Sequence, residues 1–556
     1  MFDKIHSYRK NENLARKTNA VYFDDSWSVV LPDFADKVLK AACEDFSEYF
    51  SDSFDLKLGN STDKRITFAL CEGEYSFRIS VSENEVKISA KETFLLAQGL
   101  FYCEDLMNLC GQPCLEKKDF NLTQRVRDRL VYLGEFDNFD EYILKLLHFG
   151  YNGIIFDSYE KEFVKTAKEY GFKTFMFLID NEGLPFDEFD GIILQEEPTE
   201  KDLISFKGKN VIYSTEFWSG NFEAQKEILA GLPQNATVLV PFDANQLIEK
   251  DGVKCITKSG SLIQPSASQY FEQIYAFCRE QGINVMAITF SAGRTNEFGS
   301  IPYIPAMMQW LLRNEALKDF DVAATVESGK YGFIPSIVAE FTKGQLYFEA
   351  LDGGIYLQQL AGEHFGNENI EKIVMVFKKL SDAANYLIIN KADISGPLMF
   401  GPAYPLTDSE IYDFPFAQKD ITYETDCNLK AADCFMRASA ILSHIDNKNA
   451  KELMYICLFA VNSLVTSANA KRWYRRLYAS KTMDLDFKKK FVLEQMVKIG
   501  EEEISNAFDT LEILEKAPFL CGNKFEELCS VDALEAKVTI TRKAIQKIKE
   551  QIETIN

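Results

Sequence analysis

The amino-acid sequence predicts an α/β protein: a (β/α)8 TIM barrel with an α/β domain before it and an all-helical domain after it. Three observations support this prediction. Residues 65–109 mix strand and helix patterns, short apolar runs alternate with amphipathic helical runs from residue 129 to about 317, and from about residue 320 the pattern is almost entirely helical. A chain of 556 residues is long enough for about two to four domains. We therefore predict domains over residues 1–125, 126–320 and 321–556.

The N-terminal domain is predicted from strand patterns that precede a long helix. "RITFALCE", "YSFRISVS" and "VKISA" are strand-like runs rich in β-branched and aromatic residues, with "SENE" as a turn. "KETFLLAQGLFYCEDLMNLC" then has the apolar spacing of an amphipathic helix, as does the segment 35–50. These elements together predict a compact α/β unit.

The barrel is predicted from eight strand-like segments in roughly 190 residues, a count that is typical of this fold. The segments are 129–136, 152–158, 173–180, 190–198, 210–218, 236–245, 252–260 and 283–293. A doubly wound open sheet is the alternative. It would normally carry a glycine-rich phosphate turn after its first strand, and "YLGEFDN" is not such a turn.

The C-terminal third is predicted to be a helical domain interrupted by one long loop. Helical patterns cover 336–349, 353–364, 368–387, 428–445, 448–479, 485–515 and 530–554. The loop, 393–427, is aromatic and rich in proline and glycine, and loops of that length in compact domains are often functional. We expect it to form an ordered wall at the barrel mouth, with Tyr404 in contact with substrate; an ordinary surface connection is the alternative.

Composition excludes several classes of partner. The net charge of −23 disfavours nucleic acids and anionic membranes, because both are polyanions. The N-terminal residues lack the apolar region of a secretory signal, and no uninterrupted apolar run approaches the length that spans a bilayer. Twelve scattered cysteines without a CxxC pair predict reduced thiols and a cytoplasmic protein. The four histidines are far apart in sequence, so we expect no His-based zinc site, no other metal and no cofactor.

Acidic residues follow most of the predicted barrel strands, where the chemistry of this fold takes place. In chain order these positions, with the polar and aromatic residues beside them, are Glu135, Asp157, Asp180, Glu196, Glu197, Glu216, Trp218, Asp243, Asn245, Arg294, Asn296 and Glu297. Carboxylates accept hydrogen bonds from hydroxyl groups and aromatic rings cover the apolar faces of sugars, so this set is typical of a carbohydrate site. Helix capping and local ion pairs are the alternative explanation for any single acid. That explanation is weaker for Glu196 and Glu197, because Pro198 and Thr199 already supply a helix start.

Three segments resemble known glycoside hydrolases. The block from "YSFRISVS" to "FYCEDLM" resembles the zincin-like domain that precedes the barrel in the family 20 β-N-acetylhexosaminidases, the family 84 enzymes and the family 67 α-glucuronidases. "EYILKLLHFGYNGIIFD" resembles the first barrel helix and second barrel strand of those enzymes, and "PSIVAEF" through "GPAYPL" resembles their helical C-terminal segment. The resemblance implies the same three-part architecture and hydrolysis of glycosidic bonds.

The resemblance also implies roles for the strand-end acids. Glu197 corresponds in position to the general acid of family 20, and Glu196 corresponds to the residue that orients the substrate's acetamido group, although that residue is usually Asp. The "EEP" triplet is also similar to the Asn–Glu–Pro end of strand four in a large group of retaining barrel glycosidases, which again makes Glu197 the acid/base. Their nucleophile follows strand seven, where "GVKCITKSG" offers no acid. An inverting enzyme would use Asp243 or Glu216 as base, so retaining, inverting and substrate-assisted mechanisms all stay open.

The sequence therefore predicts a cytoplasmic, exo-acting glycoside hydrolase that removes a terminal sugar, with an N-acetylhexosamine as one candidate, from short oligosaccharides or glycosides. Glu197 would protonate the glycosidic oxygen, with its pKa raised by the charge of Glu196. The carbohydrate is the only expected partner besides a second copy, bound through the C-terminal helical domain as a homodimer. Two alternatives remain: a non-catalytic, barrel-based carbohydrate-binding protein, and a barrel enzyme whose acid ring holds Mg²⁺ or Mn²⁺.

Overall fold

A computed structural model describes most of the chain and divides it into two compact units. Unit 1 comprises Met1–Phe242, Gln269–Ser291 and Asn314–Ile370, and unit 2 comprises Asp243–Ser268, Ala292–Arg313 and Glu371–Asn556. The residues described are 5–10, 14–59, 63–133, 136, 138–178, 186–199, 202, 210–219, 221–233, 236–250, 253–257, 263–289, 304–328, 336–347, 352–387, 396–408, 418–520 and 529–555. The three-domain division stays a prediction.

Unit 1 begins with the predicted α/β region. A five-stranded sheet has the strand order Trp27–Val29, Lys64–Leu70, Glu85–Ala90, Phe77–Val81, Asp119–Leu122, and a two-stranded sheet pairs Ala20–Tyr22 with Cys114–Glu116. The helices Lys37–Phe54 and Thr93–Cys110 complete the region. Gly99 allows the second helix to approach the sheet closely, because a Cβ at this position would lie 2.6 Å from Ile88 Cγ2.

The centre of unit 1 is a closed barrel of eight parallel strands, which confirms the predicted fold class and excludes the open-sheet alternative. The barrel strands, numbered one to eight in chain order, are Asp128–Tyr132, Gly153–Phe156, Lys173–Leu178, Gly191–Leu194, Val211–Ser214, Thr237–Pro241, Asn284–Ile288 and Ala324–Ser328. Alternate side chains fill the interior, as barrel strands require. This interior layer includes Leu130, Ile155, Phe175, Ile193, Ile212, Leu239, Met286 and Val326.

The predicted seventh and eighth strands were assigned to the wrong segments. The run "GVKCITKSG" is not in the barrel, because Val253–Ile256 pairs antiparallel with Leu247–Lys250 in a separate hairpin. Barrel strand seven is Asn284–Ile288, and strand eight, Ala324–Ser328, lies beyond the predicted barrel limit at 317 and beyond residue 320. A short run of β-branched residues fits a hairpin strand as well as a barrel strand, so local pattern did not distinguish them.

Helices surround these strands in the chain order expected of a barrel. The helices of unit 1 after the N-terminal region are Phe139–His148, Lys161–Glu169, Phe222–Ala230, Gln269–Glu280, Ile337–Tyr347 and Gly353–Phe365. Helix Met307–Leu317 begins in unit 2 and ends in unit 1.

Unit 2 is mainly a helical bundle, as predicted for the C-terminal region. Its helices are Ile370–Tyr386, Pro397–Phe400, Gln418–Leu442, Lys448–Thr482, Asp486–Lys516 and Val531–Thr554. The predicted loop 393–427 extends too far, because a helix already begins at Gln418; residues 409–417 lie outside the described part. Among described helices, Lys448–Thr482 has the length and apolar composition to cross a membrane, which the sequence analysis did not anticipate. Its most apolar window is 78% buried within the protein, as in the core helix of a bundle.

Candidate functional site at the ends of barrel strands four and five

The carboxyl ends of barrel strands four and five lie side by side. Leu194 is paired with Tyr213 in the parallel ladder. Ile193 and Ile212 point into the barrel, so the alternation of side chains directs Gln195 and Ser214 toward the interior at the mouth. The mouth of the barrel is therefore polar at this point, directly beside the Glu196–Glu197 pair.

Four buried polar atoms in this region have no hydrogen-bond partner among the described residues. They are Gln195 Nε2, Ser214 Oγ, Thr215 Oγ1 and Trp218 Nε1. Ser214 and Thr215 are 0% and 1% exposed. A buried donor or acceptor without a partner costs about 1–3 kcal/mol, and such groups in native proteins are usually satisfied by water or a ligand. We call these four atoms the unpaired polar cluster.

Glu197 is fixed across the two strand ends. Its Oε1 accepts hydrogen bonds from the Ser219 backbone N at 2.8 Å and from Ser219 Oγ at 2.6 Å. Both donors favour the charged form and lower the pKa of the Glu197 carboxyl. The expectation that Glu196 raises this pKa is therefore wrong, because the two hydrogen bonds from Ser219 set the direction.

A buried hydrogen-bond chain supports the Ser219 segment from behind. Gln225 Nε2 donates to the Ser219 carbonyl at 3.2 Å, and Tyr270 OH donates to Gln225 Oε1 at 2.8 Å. Gln225 is fully buried, and burial raises the pKa of Tyr270, which keeps its hydroxyl a neutral donor. The chain links helices Phe222–Ala230 and Gln269–Glu280 to the loop that holds Glu197, so the carboxylate position is built into the packing.

Three other predicted residues follow barrel strands in the sequence and differ in exposure. Glu216 is half-buried in the 3-10 turn Thr215–Phe217. Asp157 is exposed and directly follows barrel strand two, two residues after the inward-facing Ile155. Trp218 is only 6% exposed, so it has no free ring face on which a sugar could stack, and its indole N–H is buried without a partner among the described residues.

Asp243 and Asn245 follow barrel strand six in the chain and belong to unit 2. Asp243 is fully buried, and its Oδ2 accepts a hydrogen bond from Arg313 Nη2. Asn245 is exposed in a left-handed conformation with φ of 60°, and its backbone N donates to the Thr257 carbonyl at 2.9 Å. The Arg313 guanidinium forms an ion pair with the Asp243 carboxylate. This pairing favours a positioning role for Asp243 over the predicted role as catalytic base.

Tyr404 lies in the hydrophobic core of unit 2 and is 1% exposed. It packs there with Trp473 and Met496 rather than forming an open wall, so the structure assigns it to packing and not to substrate contact. Of the remaining predicted residues, Glu135, Asp180, Arg294, Asn296 and Glu297 lie outside the described part of the chain. Their roles stay predictions.

Sequence reasoning missed a buried ion pair on the outer face of the barrel. Arg129 Nη2 lies 3.0 Å from Glu327 Oε2, both side chains are almost fully buried, and Tyr151 OH donates to the same carboxylate. Leu130 and Val326 point into the barrel, so their neighbours Arg129 and Glu327 point outward. The available sequence signal for this pair was a charged residue within each strand, Arg129 in "DRLVY" and Glu327 in "ATVES". This pair joins barrel strands one and eight.

Two groups of side chains in unit 1 have the composition and spacing of metal ligands. They are His6, Asp45, Glu104 and His148, and separately Glu340, Glu363 and His364. Neither group includes a residue of the barrel mouth. The expectation that distant histidines exclude such a site rested on sequence separation, and the fold brings His6 and His148 together.

The closed barrel of eight parallel strands defines a (β/α)8-barrel protein, and the Glu196–Glu197 pair follows strand four at the end of the barrel where the sites of this fold usually form. No known protein-family profile matches the chain, and no curated protein does. Among solved structures, a GH138 enzyme targeting pectin rhamnogalacturonan II is similar with a TM-score of 0.56 and 9% identity, over 95% of this chain and 80% of that chain.

Two further solved structures are less similar. The Flavobacterium johnsoniae chitobiase FjGH20 has a TM-score of 0.41 and 13% identity, covering 88% of this chain and 95% of that one. CpGH84D has a TM-score of 0.36 and 11% identity, covering 100% and 99%. The likeness to the GH138 enzyme is one of fold, which confirms the architecture implied by the sequence resemblance.

Proposed function

We propose that this protein is a glycoside hydrolase whose substrate binds at the barrel mouth, against the ends of strands four and five. The observation that carries this proposal is the Glu196–Glu197 pair, which is exposed at the carboxyl end of strand four with Glu197 held by Ser219. Carboxylates accept hydrogen bonds from sugar hydroxyls, each of which is both donor and acceptor. The fold shared with the GH138 enzyme, which targets a pectin polysaccharide, supports a carbohydrate over other polar ligands by analogy.

The hydrogen bonds to Glu197 revise its proposed role. A general acid must be protonated before it can act, whereas Ser219 stabilises the ionised carboxylate. We therefore assign Glu197 the ionised role, as base or nucleophile, and we assign proton donation to Glu216, which follows the neighbouring strand. Glu196 beside it would orient the substrate, as the resemblance implied.

The finer parts of the function are proposals as well. We propose an exo-acting enzyme that acts on short oligosaccharides or glycosides. A cytoplasmic location agrees with the ten cysteines of the described residues, all of which are free thiols. An N-acetylhexosamine stays one candidate for the terminal sugar, and the target of the GH138 enzyme, pectin rhamnogalacturonan II, adds the sugars of a pectin as another.

The test is Glu197→Gln, assayed with a panel of nitrophenyl glycosides that includes acetamido and acidic sugars. We expect kcat/KM to fall by about 10²–10⁴, and by a similar factor for good and poor leaving groups, because the lost group is not the proton donor. Glu216→Gln should lose more activity on poor leaving groups. Glu188→Gln is a comparison variant: Glu188 precedes the same strand in the chain and accepts a hydrogen bond from Tyr159 OH at 2.6 Å. Wild-type activity in Glu197→Gln on every accepted substrate would refute the assignment.

A non-catalytic carbohydrate-binding protein is the second candidate, and the Ser219–Glu197 contact is the observation that favours it. A carboxylate fixed by two hydrogen bonds can serve as a sugar ligand without taking part in chemistry. Binding of sugars from the same panel without hydrolysis, measured by calorimetry, would establish this function. In that case Glu197→Gln would weaken binding and no variant would change a rate.

A further inference from the structure

Four potential metal ligands from distant parts of the sequence meet within unit 1. Each of the four contributes one ligand atom, and these atoms all lie within 4.8 Å of one another. His6 Nε2 is 3.1 Å from Asp45 Oδ1, and His148 Nε2 is 2.5 Å from Asp45 Oδ2. Glu104 approaches from the next helix, with Oε2 3.5 Å from His148 Nδ1. Two imidazoles therefore direct the same ring nitrogen at one carboxylate, with a second carboxylate beside them.

The cluster is removed from solvent. The side chains of His6, Asp45, Glu104 and His148 are 9%, 5%, 3% and 8% exposed. Glu104 Oε1 is buried and has no hydrogen-bond partner among the described residues. A buried carboxylate oxygen without a donor is costly unless a cation or a proton neutralises it. This atom is a second, independent indication that the cluster lacks one component.

The nearby cations have their own partners. Lys343 Nζ lies 2.5 Å from Asp105 Oδ2, and Arg9 contacts Glu363. These contacts leave the carboxylates of Asp45 and Glu104 to the cluster. The Arg9 guanidinium also compensates the charge of the second group, Glu340, Glu363 and His364, which makes that group the weaker candidate.

We propose that His6, Asp45, Glu104 and His148 form a binding site for a divalent transition-metal ion, with zinc as the best match. Two imidazole nitrogens with two carboxylates suit Zn²⁺, whereas Mg²⁺ and Ca²⁺ favour all-oxygen sites. The site is structural in character, because its ligands come from four places: the N-terminal segment, the helices Lys37–Phe54 and Thr93–Cys110, and the end of Phe139–His148. A bound ion would fasten the N-terminal segment to three helices at once.

The test measures zinc content and thermal stability of the full chain after chelator treatment and dialysis. Adding ZnCl₂ should restore about one equivalent of bound zinc by elemental analysis and raise Tm, and Co²⁺ should give the visible absorption bands of a nitrogen–oxygen site. His6→Gln should weaken zinc affinity at least about tenfold and remove the Tm increase. This variant alters the N-terminal segment rather than a helix, so the metal-free fold should persist with unchanged circular dichroism.

His444→Gln is the matched control, because His444 is an exposed histidine in unit 2. It should bind zinc as the wild type does. Equal zinc affinity in the wild type and His6→Gln, or a wild type whose Tm does not respond to zinc or cobalt, would overturn the proposal. The second result would identify the cluster as a hydrogen-bonded network that is complete without a metal.

Discussion

Thr215→Val should stabilise the free protein. Thr215 Oγ1 is buried without a hydrogen-bond partner among the described residues, and the residue is 1% exposed. Valine has nearly the same shape, so the substitution removes the unsatisfied hydroxyl without leaving a cavity. Because an unpaired buried polar group costs about 1–3 kcal/mol, we expect the free energy of unfolding to rise by about that amount.

The assay is urea unfolding followed by circular dichroism, in which the midpoint should increase while the slope stays unchanged. In parallel, kcat/KM and sugar affinity should stay unchanged, because the alternation that turns Ser214 into the barrel turns Thr215 away from it. Thr325→Val is the matched comparison. Thr325 Oγ1 is also buried and unpaired among the described residues, and Thr325 lies between the inward-facing Ala324 and Val326 and so also points out of the barrel. This variant should be stabilised similarly with no change in activity.

Destabilisation by Thr215→Val would refute the reasoning. It would show that an ordered water already satisfies the hydroxyl, since the loss of a satisfied hydrogen bond costs free energy. A fall in sugar affinity or rate would contradict the outward orientation of this side chain, because the hydroxyl would then be in contact with the ligand.

Two further variants test the electrostatics of each unit. Ser219→Ala removes the Oγ donor to Glu197 and leaves the backbone N–H donor in place, so it should raise the pKa of this carboxyl. The acidic limb of the kcat/KM pH profile should then move to higher pH if Glu197 acts in its ionised form, whereas a shift of the alkaline limb would identify it as the acid. Lys537→Met removes the cation that lies 2.5 Å from the fully buried Glu503 and should lower the free energy of unfolding by about 3–5 kcal/mol in urea titrations. The exposed Lys543→Met on the same helix should change it by less than about 0.5 kcal/mol, and an equally small effect at Lys537 would contradict the argument.

The strands that could be predicted from sequence share a physical property. Barrel strand four is a run of four buried apolar residues, and strand five has three buried apolar residues before Ser214. Strand eight contains Glu327, whose charge is acceptable there only because Arg129 lies opposite. Local pattern cannot show a partner 198 residues away, so this strand was assigned to the helical region.

The site residues also divide into features that the local sequence sets and features that depend on distant parts of the chain. Placing Glu197 at a strand end required only the position of the strand, whereas its pKa depended on Ser219, 22 residues later. Tyr404 was predicted to contact substrate from the composition of its loop, but the burial of a ring is decided by what packs over it. The His6–His148 cluster depended on chain segments that no local pattern relates.

Unit 2 is assembled from three separate stretches of chain, and this has a consequence for biosynthesis. The Met308 backbone N donates to Ser381 Oγ at 3.1 Å, a partner that is synthesised 73 residues later. At about 5–20 residues per second, the ribosome needs roughly 4–15 s to deliver that partner. During this interval the segment around Met308 emerges from the ribosome before the helix Ile370–Tyr386, which contains Ser381, has been synthesised. A nascent chain of this protein therefore exposes apolar surface for seconds, and a chaperone that binds such surface should associate with ribosomes that have translated past Arg313 but not yet past Tyr386.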